Sequence, residues 1–152
     1  MAEQQNSREG SRRVGDVMTA NPECVSERDS LIDAARIMKN ADTGVVPVVE
    51  GRKIIGLIPD RDIVVRAIAD GKDVGKVRVN EVMTREVRSV QEDTSVDEVL
   101  RLMSTAEIRR VPVVNQSDEL VGIVSIGDLA RTNRDNKIGQ AVEKISEAPP
   151  NN

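Results

Sequence analysis

With 38% hydrophobic and 32% charged residues, the 152-residue chain can bury one compact core or two small packed ones, and it lacks the composition of a disordered polymer. Its 22 Lys and Arg against 26 Asp and Glu leave a net charge of -4, so no general positive field draws in nucleic acid. Phe, Trp, Tyr and His are absent and cysteine occurs once, which excludes aromatic stacking of bases, histidine chemistry, an internal disulfide and a zinc quartet.

Residues 1–13, MAEQQNSREGSRR, are polar without an apolar signal core and are expected to form a flexible tail. No later run approaches the ~20 apolar residues of a membrane span, which predicts a cytoplasmic protein with no membrane partner. A short strand is predicted near Cys24, whose apolar surroundings suit a small core residue better than a nucleophile. Ser30 opens an S-x-x-D capping box with Asp33, and Leu31, Ala34, Ala35 and Met38 follow at helical spacing. The β-branched run VVPVV at 45–49 reads as a strand, and its proline, lacking a ladder donor, suggests a strand start or a sheet edge. A turn at Gly51 leads to a second strand, IIGLI. Residues 60–69 read as a helix with Ile63, Val64, Ala67 and Ile68 on one face and Gly71 just past its end.

The same order then recurs: a short strand near Ser89, a capping box from Ser95 to Glu98, apolar Val96, Val99, Leu100 and Met103, then RVPVV, a turn at 116–118 and LVGIV. A displacement of 65 positions, becoming 66 after one inserted residue near Ser117, aligns 16 identical pairs over the 52 positions 14–65. Chance pairing gives about one in fifteen. The chain is an internal duplication, with unit 1 at 14–71, a short polar linker at 72–78, unit 2 at 79–134, and a C-terminal segment at 135–152 that is partly helical at IGQAVEKI and then flexible. One unit of ~60 residues leaves a sheet face open, whereas two can cover each other.

DVMT and EVMT opening the units, VPVV in both, and G-h-h-x-x-x-D closing both resemble the CBS-domain family, because these motifs occur twice in one fixed order. The segment DRDIVVRAIADG is similar to stand-alone bacterial CBS-pair proteins. The resemblance implies an α/β fold, a tandem CBS pair of two βαββα units packed by pseudo-twofold symmetry into a Bateman module whose clefts often bind adenosine nucleotides. It also implies a homodimer forming a disc of four CBS units, and an unknown protein partner regulated in trans.

The closing motifs are GLIPDRD at 56–62 and GIVSIGD at 122–128. Ser125 and Asp128, three apart at a strand-to-helix junction, suit a capping box worth ~1 kcal/mol. The resemblance gives a second reading, in which Asp62 and Asp128 hold a ribose and Ser125 assists. Pro59 replaces that serine in the first unit, so a hydroxyl and an N–H are both missing there and Asp60 is left to cap. The pair Asp60 and Asp62 reads as a solvated helix start rather than a cation site.

Arg109 and Arg110 align with Gly44 and Val45. By resemblance Arg110 reaches the phosphates of a nucleotide in the Asp62 cleft, a contact Val45 cannot supply to the Asp128 cleft. The alternative makes both arginines solvated partners of Glu107 or Asp118. The positions that match the family's base-contacting residues are Thr43, Gly44 and Leu57 in one cleft and Ile108, Arg109 and Ile123 in the other, with main-chain groups reading the adenine edge. Leu57 and Ile123 suit ordinary core equally well.

Without histidine, tyrosine or a P-loop signature, an enzyme is not expected. The expected function is a sensor module for AMP, ADP or ATP that needs no other cofactor. S-adenosylmethionine, cyclic dinucleotides and magnesium-bound nucleotide stay open as ligands, and the alternative function is a nucleotide-free, stress-associated dimer acting through its surface.

Overall fold

The computed structural model describes residues 12–131 and 144–145. In chain order these form β1 (Thr19–Ala20), α1 (Leu31–Ala41), β2 (Val45–Glu50), β3 (Lys53–Pro59), α2 (Asp60–Ile63), β4 (Val90–Gln91), α3 (Val96–Ala106), β5 (Arg110–Val114), β6 (Leu120–Ser125) and α4 (Ile126–Ala130). The serine caps form as expected: Ser30 Oγ accepts from the Asp33 N–H at 3.1 Å and Ser95 Oγ from the Glu98 N–H at 3.2 Å. Each capped helix ends on a left-handed acidic residue, Asp42 (φ 51°) after α1 and Glu107 (φ 57°) after α3.

β1, β6, β5 and β4 make a four-stranded sheet in that order, and β2 and β3 make an antiparallel hairpin. Single bridges from Val25 to Val48 and from Thr84 to Leu57 give the hairpin the same four-part plan. The prolines do not mark strand starts or free edges, since Pro47 and Pro112 are the third residues of β2 and β5 and β5 is interior. Pairing with β4 begins one residue later, at Val113, so the missing N–H of Pro112 interrupts no ladder.

The opening segment of each unit packs into the other unit. Val14 belongs to a core with Val99, Met103, Val111 and Leu129, whereas Val79, Val82 and Met83 belong to a core with Leu31, Val46, Ile58 and Ala67. The exchange is reciprocal at the level of single bonds. The Val14 N–H donates to the Thr94 carbonyl at 2.8 Å, and 65 positions on, the Val79 N–H donates to the Asp29 carbonyl at 2.8 Å. The sequence boundaries at 71 and 79 therefore do not separate the two cores in space. Linker residue Val77 is buried in the first core, and its carbonyl accepts from the Leu31 N–H at 3.2 Å.

Of the expected N-terminal tail, Arg12 and Arg13 are held, the Arg12 carbonyl accepting from the Val96 N–H at 2.7 Å; residues 1–11 lie outside the described residues. In the C-terminal segment Lys144 and Ile145 are helical and Ile145 is buried in the second core, while the rest of 135–152 lies outside the described residues.

The helix expected at 60–69 departs from its predicted face. After α2, residues Val64–Ile68 form a π turn in which the Ala69 N–H reaches the Val64 carbonyl at 2.8 Å. Ile63 and Ala67 are buried, but Val64 and Ile68 are 52% and 56% exposed. Ile63 and Ala67, four apart, face the core together, and Val64 and Ile68, four apart, face out together.

The glycines of IIGLI and LVGIV let the exchanged segments cross. A Cβ on Gly56 would lie 2.8 Å from the Thr84 carbonyl oxygen, and one on Gly122 would collide with the Met18 sulfur and lie 3.0 Å from the Thr19 carbonyl oxygen. Gly56→Ala is expected to destabilise the chain by about 1–3 kcal/mol, because the obstructing atom is main chain and cannot swing aside. Gly127→Ala, whose Cβ would meet only Ser125 Oγ at 3.6 Å, is the control and should melt close to the parent. Thermal denaturation checks both, and equal melting of Gly56→Ala and the parent contradicts the crossing.

Candidate functional site

The two strand-to-helix junctions differ by one N–H and one hydroxyl. At β6–α4, Ser125 Oγ accepts from the Asp128 N–H at 3.1 Å and Asp128 Oδ2 accepts from the Ser125 N–H at 2.9 Å, closing a reciprocal capping box. At β3–α2 the residue in place of Ser125 is Pro59, which has no N–H, so that box cannot form. The Asp62 carboxylate turns instead to the opening segment of unit 2, where Thr84 Oγ1 donates to Asp62 Oδ2 at 2.7 Å. Asp62 is only 5% exposed, and this bond supports its burial. Asp60 accepts from the Arg61 N–H at 2.7 Å, the local bond that stands in for the missing serine.

Two cavities lie between the units. One, of about 430 Å³, is walled by Leu57, Pro59 and Asp60 of unit 1 and by Thr84, Ile108 and Arg109 of unit 2. The other, of about 380 Å³, is walled by Ile123, Ser125 and Asp128 of unit 2 and by Thr43, Val45 and residues 19–23 of unit 1. Arg110 borders both. The structure thus regroups the residues expected from sequence: Thr43 faces Ile123 rather than Leu57, and Ile108 and Arg109 face Leu57 rather than Ile123. Each closing strand meets the start of the other unit's central strand, a consequence of the pseudo-twofold packing.

Gly44 lines neither cavity. Its carbonyl accepts from the Asp60 N–H at 2.8 Å, and a Cβ there would stand 3.2 Å from both an Arg110 guanidinium nitrogen and an Asp60 carboxylate oxygen. Asp62 lies behind Thr84 and is not part of the lining of either cavity, whereas its duplicate Asp128 is. The cavity holding Asp128, expected to lack an arginine, has Arg110 on its wall.

Ion pairing of Arg109 or Arg110 with Glu107 or Asp118 is not found among the described residues, where Arg13 pairs with Asp93, Arg85 with Glu27 and Arg131 with Asp128. Sequence reasoning passed over Thr84, Glu86 and Arg88, all on the wall of the larger cavity. The available signal was the threonine repeated in VMT at 19 and 84, which served only as a family mark. Cys24 is half-buried, its thiol donates to the Pro22 carbonyl at 3.1 Å, and burial pushes its pKa up, all in keeping with an inert packed thiol.

The family model for the CBS domain matches residues 14–68 and 79–135. The chain belongs to the CBS-domain family. Uncharacterized protein YlbB of Bacillus subtilis is 40% identical over 138 residues, covering 89% of this chain and 92% of its own. Hypoxic response protein 1 of Mycobacterium tuberculosis is 34% identical over 131 residues, covering 86% and 91%.

Among solved structures, hypoxic response protein I with two coordinated zinc ions superposes with a TM-score of 0.72 at 34% identity, covering 79% of this chain and 98% of that one. The CBS pair of MJ0100, in complex with 5′-methylthioadenosine and S-adenosylmethionine, superposes at 0.71 and 33% identity over 80% and 94%. CBSX2 in complex with AMP gives 0.67 at 26% identity over 78% and 93%. In this CBS pair no group of three His, Cys, Asp or Glu side chains is placed to hold a metal ion among the described residues, and none of their helices is long and apolar enough to cross a membrane.

Replacing Thr84 by valine keeps its shape and leaves the buried Asp62 oxygen without its donor, so a loss of about 1–3 kcal/mol is expected in denaturant unfolding. Thr19→Val, at the exposed duplicate position, should stay within about 0.5 kcal/mol of the parent.

Proposed function

We propose that this CBS pair is a non-enzymatic, cytoplasmic regulatory module that binds an adenosine nucleotide, AMP, ADP or ATP, between its two units and signals to a protein partner in trans. The observation that carries the reading is the pair of cavities walled by both units, about 430 and 380 Å³, within the roughly 300–1,000 Å³ of small-molecule sites. Arg109 and Arg110 are half-buried and free of ion pairs among the described residues, which leaves their guanidinium groups available to phosphate oxygens. Thr43, Ser125 and Asp128 offer a hydroxyl and carboxylate set for a sugar in the smaller cavity. Leu57, Ile108 and Ile123 supply aliphatic walls for a base. AMP in CBSX2 and the adenosine compounds in the MJ0100 pair support the same ligand class.

A ligand touching both units favours whichever relative placement of the units grips it better, and a partner that reads this placement completes the regulation. The competing reading, a dimer with empty cavities, draws on one observation: both closing carboxylates already have intrachain partners, Asp62 in Thr84 and Asp128 in Ser125.

Assembly into a homodimer is part of the proposal. The large hydrophobic residues exposed among the described ones are Ile32, Val64, Val65 and Ile68, all in unit 1. Their duplicates in unit 2 are Asp97, Ala130, Arg131 and Arg134. Apolar side chains exposed in one of two repeated units and replaced by polar or smaller ones in the other are what a two-fold contact between first units would cover.

Calorimetric titration with AMP and ATP tests ligand binding; at a ligand concentration of 100 times Kd the midpoint of melting should rise by roughly 5–10 °C. Absence of heat and of any shift with AMP, ADP and ATP alike favours the empty-cavity reading. Light scattering tests the assembly: the parent is expected as a dimer and Ile68→Glu as a folded monomer, while a dimer undisturbed by that change rejects the unit 1 contact.

A further inference from the structure

The two cavities are duplicates in sequence and opposites in charge. The wall of the Leu57 cavity carries Arg61, Arg88, Arg109 and Arg110 against Asp60 and Glu86, a balance of two positive charges. The wall of the Ile123 cavity carries Glu23, Asp42 and Asp128 against Arg110 alone, a balance of two negative charges. The reversal comes from individual duplicated positions: Glu23 stands where unit 2 has Arg88, and Gly44 and Val45 stand where it has Arg109 and Arg110. Among the described residues the one ion pair drawn from these groups is Asp128 with Arg131, at 3.9 Å and with the arginine side chain 80% exposed, too loose to cancel the field. These lining charges act on whatever sits in each cleft, so the two sites present opposite potentials to a ligand of the same base and sugar.

We propose that the cavities sort adenosine ligands by charge: the Leu57 cavity takes the phosphorylated nucleotide, and the Ile123 cavity takes an adenosine derivative whose 5′ substituent is uncharged or positive, a thioether or a sulfonium. This rests on the adenosine-binding reading above and adds to it which ligand goes where. In the Leu57 cavity the guanidinium groups meet phosphate oxygens in forked geometry. In the Ile123 cavity a phosphate would face three carboxylates and is repelled, whereas a sulfonium is attracted and a thioether is tolerated. The module then reports the ratio of two adenosine pools rather than the level of one.

The test is calorimetric titration of the full chain with AMP and with 5′-methylthioadenosine, each alone and in the presence of the other, at low and raised ionic strength. Both ligands are expected to bind without displacing each other, and only AMP should weaken with salt. Arg88→Glu, an exposed charge reversal, should weaken AMP by roughly three- to tenfold and leave 5′-methylthioadenosine within about twofold. Glu23→Arg should admit AMP to the second cavity, so that AMP now displaces 5′-methylthioadenosine. Mutual displacement in the parent, or AMP affinity unmoved by Arg88→Glu, overturns the sorting while leaving adenosine binding intact. If neither compound binds the parent, the adenosine reading itself falls and the sorting falls with it.

Discussion

The structure depends on a close crossing of main chains. The Leu57 N–H donates to the Thr84 carbonyl at 2.9 Å and the Thr84 N–H returns to the Leu57 carbonyl at 2.8 Å, next to a glycine that leaves room for nothing larger. The same arrangement recurs where β1 lies on β6, with Thr19 opposite Ile123 and Ala20 opposite Gly122. These contacts hold the opening residues of each unit on the closing strand of the other. They bring both units to each cavity wall, and they put Thr84 within reach of Asp62. The crossing segments supply residues to both cavity walls and to both cores.

Within that frame the chain has broken its own symmetry in a directed way. A serine-to-proline difference at one junction changes the partner of a carboxylate from its own helix cap to a threonine of the opposite unit. Charge follows the same logic: a few duplicated positions, changed in opposite senses, turn two equal clefts into an acidic and a basic one. Apolar exposure does so as well, since among the described residues the large hydrophobic side chains left exposed belong to unit 1. Duplication supplies two copies of a cleft, and single substitutions are enough to give them different lining charges and hydrogen-bond partners.

Much of this was legible in the residues. The capped helices at Ser30 and Ser95, the β-branched runs and the repeat displacement fixed the element order, because each rests on local chemistry read within a few positions. Leu57, Arg110, Ser125 and Asp128 do border inter-unit cavities. The exchange of opening segments was not legible, since VMT reads the same whichever unit it packs on, and this is why Thr43 and Ile108 were grouped with the wrong closing strands. The burial of Asp62 was hidden for a related reason: its donor, Thr84, lies 22 positions away and across a unit boundary. The π turn escaped because a helical period and a slightly wider one place Val64 and Ile68 almost alike on paper, and only packing separates them.

The exchanged segments also constrain how the polypeptide comes to be folded. As the ribosome delivers the first half, Ile58 and Ala67 have no lid until Val79, Val82 and Met83 emerge, and Val14 waits for a core that is synthesised last. Contacts of such long sequence separation slow folding. A half-chain is therefore not a smaller version of this molecule, and a break between the repeats leaves each fragment short of the core residues that its partner lends it.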